Sequence, residues 1–133
     1  MAETYVFDSY ALFKVFQKEE GYEKVVGLLR DISASGGRAL MSAINYGEII
    51  YIIKRAFGDQ KKIECLGAIE RLGIEILSVP NELIFKAAEY KAEFGMSYAD
   101  CFALASAVEN RAAVVTGDRE FGRVEGRIAV VWV

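Results

Sequence analysis

Four acidic side chains interrupt or border apolar sequence in this chain. Asp8 closes the run Tyr5-Val6-Phe7, and Asp118 follows Val114-Val115-Thr116-Gly117. Asp100 stands in Ser97-Tyr98-Ala99-Asp100, ahead of the apolar stretch Cys101 to Val108, and Glu48 stands in Asn45-Tyr46-Gly47-Glu48-Ile49-Ile50. The other two of the five aspartates, Asp31 and Asp59, lie at polar helix ends. Each of the four has an ordinary alternative. Asp8 can cap a helix starting at Ser9. Ser97-x-x-Asp100 fits a capping box and Asn45-x-x-Glu48 resembles one. Asp118 can be a turn residue or a helix cap. Gathered on one rim, however, the four would repel one another, and burial with like charge would raise their pKa values. Ionised together they require a cation, and an all-oxygen ligand set selects a hard ion such as Mg²⁺ or Mn²⁺.

The remaining composition narrows the chemistry. There is no histidine, which removes the Ser–His–Asp triad, the Cys–His pair, imidazole acid–base catalysis and His-ligated zinc. Cys65 and Cys101 are too few for a zinc site and read as buried small hydrophobes. Net charge is −3 with Lys and Arg dispersed, which opposes a DNA-reading module with a broad basic footprint. It does not exclude nucleic acid, because a bound cation supplies positive charge that residue counts miss.

The elements that must position these acids follow from apolar spacing and glycine punctuation. Strands are expected at Thr4 to Phe7, Ala39 to Met41, Ile74 to Val79, Ala113 to Val115 and Ile128 to Val133. Helices are expected over 9–18, 22–32, 44–57, 60–72, 82–94 and 97–109, with a brief turn or helix at 118–122. The helix from Ile44 is apolar nearly all round and reads as buried, and Asn81 after Pro80 is a candidate cap. Strands one, four and five are continuous apolar runs, the mark of a parallel sheet covered on both faces. The β–α alternation predicts a three-layer α/β/α fold around a parallel sheet of four to five strands. Helices in such a fold run antiparallel to the strands, so strand C-termini and helix N-termini share one edge. That edge, where open α/β sheets bind ligands, is where Asp8, Glu48, Asp100 and Asp118 are all expected.

The chain has 133 residues, the length of one domain, typically ~100–150 residues. No repeat, linker or low-complexity stretch divides residues 1–133. Apolar residues make up 53% and charged residues 26%, a globular balance whose apolar surplus fits a buried sheet or a partner interface. No apolar run reaches the ~20 residues of a membrane span. The N-terminal segment has no basic stretch and carries Glu3 early, so it does not read as a signal peptide, and a cytoplasmic location is expected.

At these residues the chain resembles the PIN-domain ribonucleases, and more narrowly the VapC-type toxins of toxin–antitoxin pairs. The likeness rests on Asp8-Ser9 closing strand one and on Glu48 followed by an apolar stretch and the basic pair Lys54-Arg55. It rests equally on Ser97-Tyr98-Ala99-Asp100 with Ala103, Ala105 and Ala107 after it, and on Thr116-Gly117-Asp118-Arg119-Glu120-Phe121. The four motifs occur in order over essentially the full length. The resemblance implies a metal-dependent endoribonuclease that hydrolyses RNA phosphodiester bonds with Mg²⁺ or Mn²⁺. Asp8, Asp100 and Asp118 would be the main ligands, and Glu48 would ligate directly or orient a metal-bound water. Ser9 and Thr116 are candidates to hold carboxylates or waters, against ordinary capping and turn bonding. Lys54 and Arg119 are candidate phosphate contacts, against plain solvated surface charge. The family also implies a small antitoxin partner and a homodimer.

Two other readings compete. A phospho-acceptor receiver domain shares the length and the α/β order, but it needs an Asp at the end of strand three and a Lys near strand five. Here strand three ends Leu77-Ser78-Val79-Pro80 and the last strand has no Lys. A catalytically inactive PIN-like scaffold that only binds a partner is opposed by the intact set of four acids.

Overall fold

Short β-branched and aromatic runs form five strands, each followed or preceded by a helix that covers it. A computed structural model describes residues 3–133; Met1 and Ala2, part of the segment read above for a signal peptide, lie outside the described residues. The strands are β1 (Thr4–Phe7), β2 (Arg38–Ser42), β3 (Ile74–Leu77), β4 (Ala113–Thr116) and β5 (Val130–Trp132). The helices are α1 (Ser9–Phe16), α2 (Tyr22–Ser35), α3 (Ala43–Phe57), α4 (Asp59–Arg71), α5 (Asn81–Phe94) and α6 (Tyr98–Asn110), with a 3-10 turn at Arg119–Val124. The sheet has five strands in the order β3-β2-β1-β4-β5, and every neighbouring pair is parallel. Among the described residues no helix is long and apolar enough to cross a membrane.

Strand alternation divides the core into the two outer layers of an α/β/α sandwich. Val6, Leu40 and Val114 face one side, where Leu83 and Ala87 of α5 and Cys101 and Leu104 of α6 pack on them. Phe7, Ala39, Met41 and Val115 face the other, against Leu12 of α1, Leu29 of α2, Ile49 and Ile53 of α3 and Ile69 of α4. Helix α6 is the most deeply set; every residue from Asp100 to Ala107 is buried. Its alanines give the small side chains that close approach to the sheet requires. Gly95 ends α5 in the left-handed region at φ 68°, a conformation only glycine adopts without cost. This lets the chain reverse within Gly95–Met96 so that Ser97 can start α6.

Three expectations are corrected by tertiary position. Helix α3 is not buried all round: Asn45, Ile49 and Ile53 face inward, while Ile44, Tyr51 and Phe57 are exposed. Its β-branched content comes from a half-buried helix with apolar solvent-side residues, not from a central one. Strand β5, read as a run covered on both faces, is an edge of the sheet and only partly buried; β3 is the other edge. Asn81 is the first residue of α5 and makes no capping bond, because Pro80 occupies the cap position and its carbonyl accepts from Leu83 and Ile84.

Candidate metal centre

Strands β1 and β4 lie side by side at the centre, with Phe7 in register with Val115 and the Asp8 N–H donating to the Val115 carbonyl at 3.3 Å. Their junction is where the strand order reverses direction, the usual ligand crevice of an open α/β sheet. Asp8 therefore leaves β1 directly beside the end of β4. One of its oxygens, Oδ1, accepts from Ala11 N–H at 2.9 Å and caps α1, and the other, Oδ2, accepts from the Thr116 hydroxyl. The same Thr116 oxygen accepts from the Asp118 N–H at 2.9 Å. Asp118 Oδ1 then caps the 3-10 turn by accepting from Glu120 N–H at 3.0 Å. Ser97 caps α6 by accepting from Asp100 N–H at 3.2 Å, and the Ser97 N–H itself donates to Glu120 Oε2 at 3.0 Å. The next residue after Asp8, Ser9, donates from its hydroxyl to Glu48 Oε1 at 2.5 Å.

Capping and gathering are thus the same geometry here. Helix starts and strand ends share one edge of the sheet, so acids that cap also meet. The carboxylates of Asp100, Asp118 and Glu120 each place an oxygen within 4.8 Å of the others. Asp8 and Glu48 border this group, close enough for the charges of Asp118 and Glu48 to act on Asp8 and for that of Asp8 to act on Asp100. Glu48 enters from the second turn of α3, because that helix begins at Ala43 with Ser42 as its cap and not at Asn45. Gly47 is accommodated in the helix without a break.

The electrostatics are those of a cation site written in oxygen. Burial pushes the Asp8 carboxyl up from 3.8 to about 7, against the opposing hydrogen bonds from Thr116 and Ala11, and the charges of Asp118 and Glu48 add to the rise. Burial also raises Asp100, to about 9, followed by hydrogen bonding to Glu120 and Asp118 and by the charges of Asp118 and Asp8. Glu120 is held below its usual value, first by the hydrogen bond from Asp100 and then by the Ser97 N–H. Protonated, Asp100 donates to its acidic neighbours; ionised, its buried Oδ2 has no donor at all. A divalent cation is the partner that satisfies such an oxygen without protonation, and the donor set around it is entirely carboxylate. The residues present fit a hard metal ion.

Not every residue singled out from sequence reaches this rim. Lys54 lies in the last turn of α3, where it pairs with Asp59 at 3.2 Å. The helix axis carries it away from Glu48, so the structure does not bring it to the acids. Arg119 is exposed beside Asp118 and has no carboxylate partner among the described residues. Two site residues escaped the sequence reading. Glu120 sits in the motif after Asp118, and its signal is an acid facing a helix N-terminus brought in from another segment. Asn45 lies on the buried stripe of α3 shared with Ile49 and Ile53, and a polar residue on an apolar stripe is the signal. Tyr10 lies against Gly117, whose missing Cβ would stand 2.4 Å from the tyrosine ring. The three successive residues Asp8, Ser9 and Tyr10 therefore each engage a different part of the rim. A hollow of about 870 Å³ opens at the far end of the strands, lined by Tyr5, Arg111 and Val131 among others, and none of the acids borders it.

A parallel sheet in this order with a carboxylate rim at its switch point defines an open α/β domain with an acidic site where such sheets bind ligands. The chain belongs to the PIN-domain family, a family of nucleases, whose family model matches residues 5–127. Among solved structures it is similar to VapBC2 from Rickettsia felis bound to a DNA fragment from its promoter, with 18% identity, TM-score 0.77 and coverage of 98% of this chain and 99% of that one. It is also similar to VapBC-1 from nontypeable Haemophilus influenzae, with 20% identity, TM-score 0.71 and 97% of each chain covered. A third is Mycobacterium tuberculosis VapC20, a Sarcin-Ricin loop cleaving toxin, with 16% identity, TM-score 0.71 and coverage of 96% and 98%. Among curated proteins no sequence matches significantly. The receiver-domain alternative is overturned by the family match.

Proposed function

We propose that this protein is a divalent-metal-dependent endoribonuclease of the VapC type, the toxin of a toxin–antitoxin pair. The observation that carries this reading is the buried Asp100 Oδ2, left without a donor among converging carboxylates. Asp100, Asp118 and Glu120 would hold the ion, with Asp8 and Glu48 at its border. A bound Mg²⁺ or Mn²⁺ supplies a water of lowered pKa and charge stabilisation at the phosphate. The chain's own residues do the rest. Thr116 fixes the Asp8 carboxylate in one orientation and, through the Asp118 N–H, fixes the start of the loop that carries Asp118. Ser9 occupies one oxygen of Glu48 and leaves the other to accept a proton from water. Arg119, exposed and next in sequence to Asp118, would meet a phosphate oxygen.

The protein partner follows by analogy. Similar folds occur in VapBC assemblies, and a small antitoxin that covers apolar surface and occludes the acidic rim is the partner we propose, with a homodimer as the resting assembly. The exposed Ile84 and Phe85 of α5 and Tyr51 and Phe57 of α3 supply apolar surface for such contacts. The test is direct. Purified protein is incubated with mixed RNA in Mg²⁺ or Mn²⁺, with EDTA, and as the Asp100→Asn variant. Cleavage that needs the metal and is lost in the variant supports the reading; cleavage that survives EDTA, or survives the substitution intact, removes it. Growth arrest on expression, relieved by Asp8→Asn, separates a toxin from a housekeeping nuclease.

A further inference from the structure

Asn45 is completely buried between α3 and α6. Its amide Nδ2 donates to the Ala99 carbonyl at 3.3 Å, and among the described residues this is the sole hydrogen bond between the two helices. Its other atom, Oδ1, is buried with no donor. A stranded acceptor is costly, and an apolar side chain would be buried there without that cost, as Ile49 and Ile53 are buried further along the same stripe. Asn45 is therefore a poor choice for simple packing.

Its place explains it better. Asn45 lies one helical turn before Glu48 and on the same face of α3, because residues three apart are neighbours on a helix. Its acceptor, Ala99, directly precedes Asp100. One hydrogen bond thus links the helix that delivers Glu48 to the helix that delivers Asp100, close to both acids. Those helix ends carry like charges that push apart when ionised. Resting on the metal-centre reading above, we propose that Asn45 is a positioning residue that sets the spacing of Asp100 and Glu48 and so the affinity of the site for a divalent cation.

Two variants and three readouts test this. Asn45→Ala removes the tie. Asn45→Asp keeps the shape but cannot donate when ionised. Mn²⁺ binding is measured by electron paramagnetic resonance, thermal unfolding is followed in EDTA, and cleavage of an end-labelled RNA oligonucleotide gives kcat and KM. Loss of a residue that orients ligands typically weakens metal affinity by about 10- to 100-fold. Both variants are expected to bind Mn²⁺ at least about tenfold more weakly than wild type. For Asn45→Ala, kcat at fixed Mn²⁺ falls, KM for RNA holds, and the unfolding temperature in EDTA is unchanged or higher, because the stranded acceptor is gone. A merely structural role gives the opposite pattern, a lower unfolding temperature in EDTA with Mn²⁺ affinity kept, and would overturn the inference. Wild-type protein that fails to bind Mn²⁺ would remove the metal-centre reading and this inference with it. Wild-type binding matched by both variants would remove only the role of Asn45.

Discussion

The Thr116 hydroxyl donates to the Asp8 carboxylate across the seam between the two central strands, while its oxygen accepts the Asp118 N–H. One side chain thus holds two acids that lie far apart in sequence. Thr116→Val keeps the shape and deletes both bonds. Each bond contributes about 1 kcal/mol, more where a charge is involved, so unfolding free energy is expected to fall by about 1–3 kcal/mol by denaturant titration. The hydrogen bond from Thr116 opposes the rise in the Asp8 pKa. Its loss should raise that pKa further, and the acid limb of the pH–rate profile should move to higher pH. A limb that stays in place would mean that Asp8 does not govern it.

Stability and pH are linked through the same acids. Asp8 and Asp100 titrate at about 7 and about 9 in the fold, both above the usual 3.8. The metal-free folded state therefore keeps protons that the unfolded chain releases. Its stability is full below the unfolded value and declines as pH rises through the two folded values. Between pH 5 and 8 the unfolding temperature in EDTA is expected to fall steadily. Excess Mn²⁺ should restore it most at the alkaline end, since binding at 100 times Kd adds about 2.7 kcal/mol. A flat profile in EDTA would contradict this account.

Asp100→Asn separates stability from metal binding. The amide cannot ionise, so the variant's fold no longer holds a proton that the unfolded chain releases. In EDTA at pH 8 the variant should unfold at a higher temperature than wild type, and added Mn²⁺ should no longer raise it. Calorimetry with and without metal reads both effects. A variant less stable than wild type in EDTA would show that Asp100 is held by something other than its acidic neighbours.

Glu120 and Lys54 make a contrasting pair. Glu120→Gln keeps an acceptor for the Ser97 N–H but removes a charge from the group within 4.8 Å. Mn²⁺ affinity should drop about tenfold. Lys54 forms an exposed pair with Asp59, and exposed ion pairs of this kind add little to stability. Lys54→Ala should leave RNA cleavage within about twofold of wild type, and a large loss would place Lys54 on the substrate after all.

Phe121 tests how the rim is anchored. It is fully buried among Val6, Val114 and the α5–α6 core, one residue from Glu120. Phe121→Ala should cost about 3–5 kcal/mol in unfolding free energy. It should also weaken Mn²⁺ binding, because the 3-10 turn that holds Asp118 and Glu120 loses its only fully buried aromatic. Unchanged metal affinity in a folded variant would separate the turn from the site.

Local sequence determined a great deal. Apolar spacing gave the strand and helix order, since a period of 2 or 3.6 is set by backbone geometry alone. Continuous apolar runs gave the parallel sheet, and acids at strand ends and helix starts gave their common edge. Those signals fail where position across the sheet matters. No local pattern says that β3 and β5 are edges, that Asn45 meets α6, or that Lys54 is carried off along its helix. Nor does spacing place Glu120 opposite Ser97, because their meeting depends on how the chain after β4 crosses the start of α6. The approach of Asp100, Asp118 and Glu120 to 4.8 Å was decided by strand order and helix packing. Only long-range burial can hold like charges together against repulsion that every local preference would relieve.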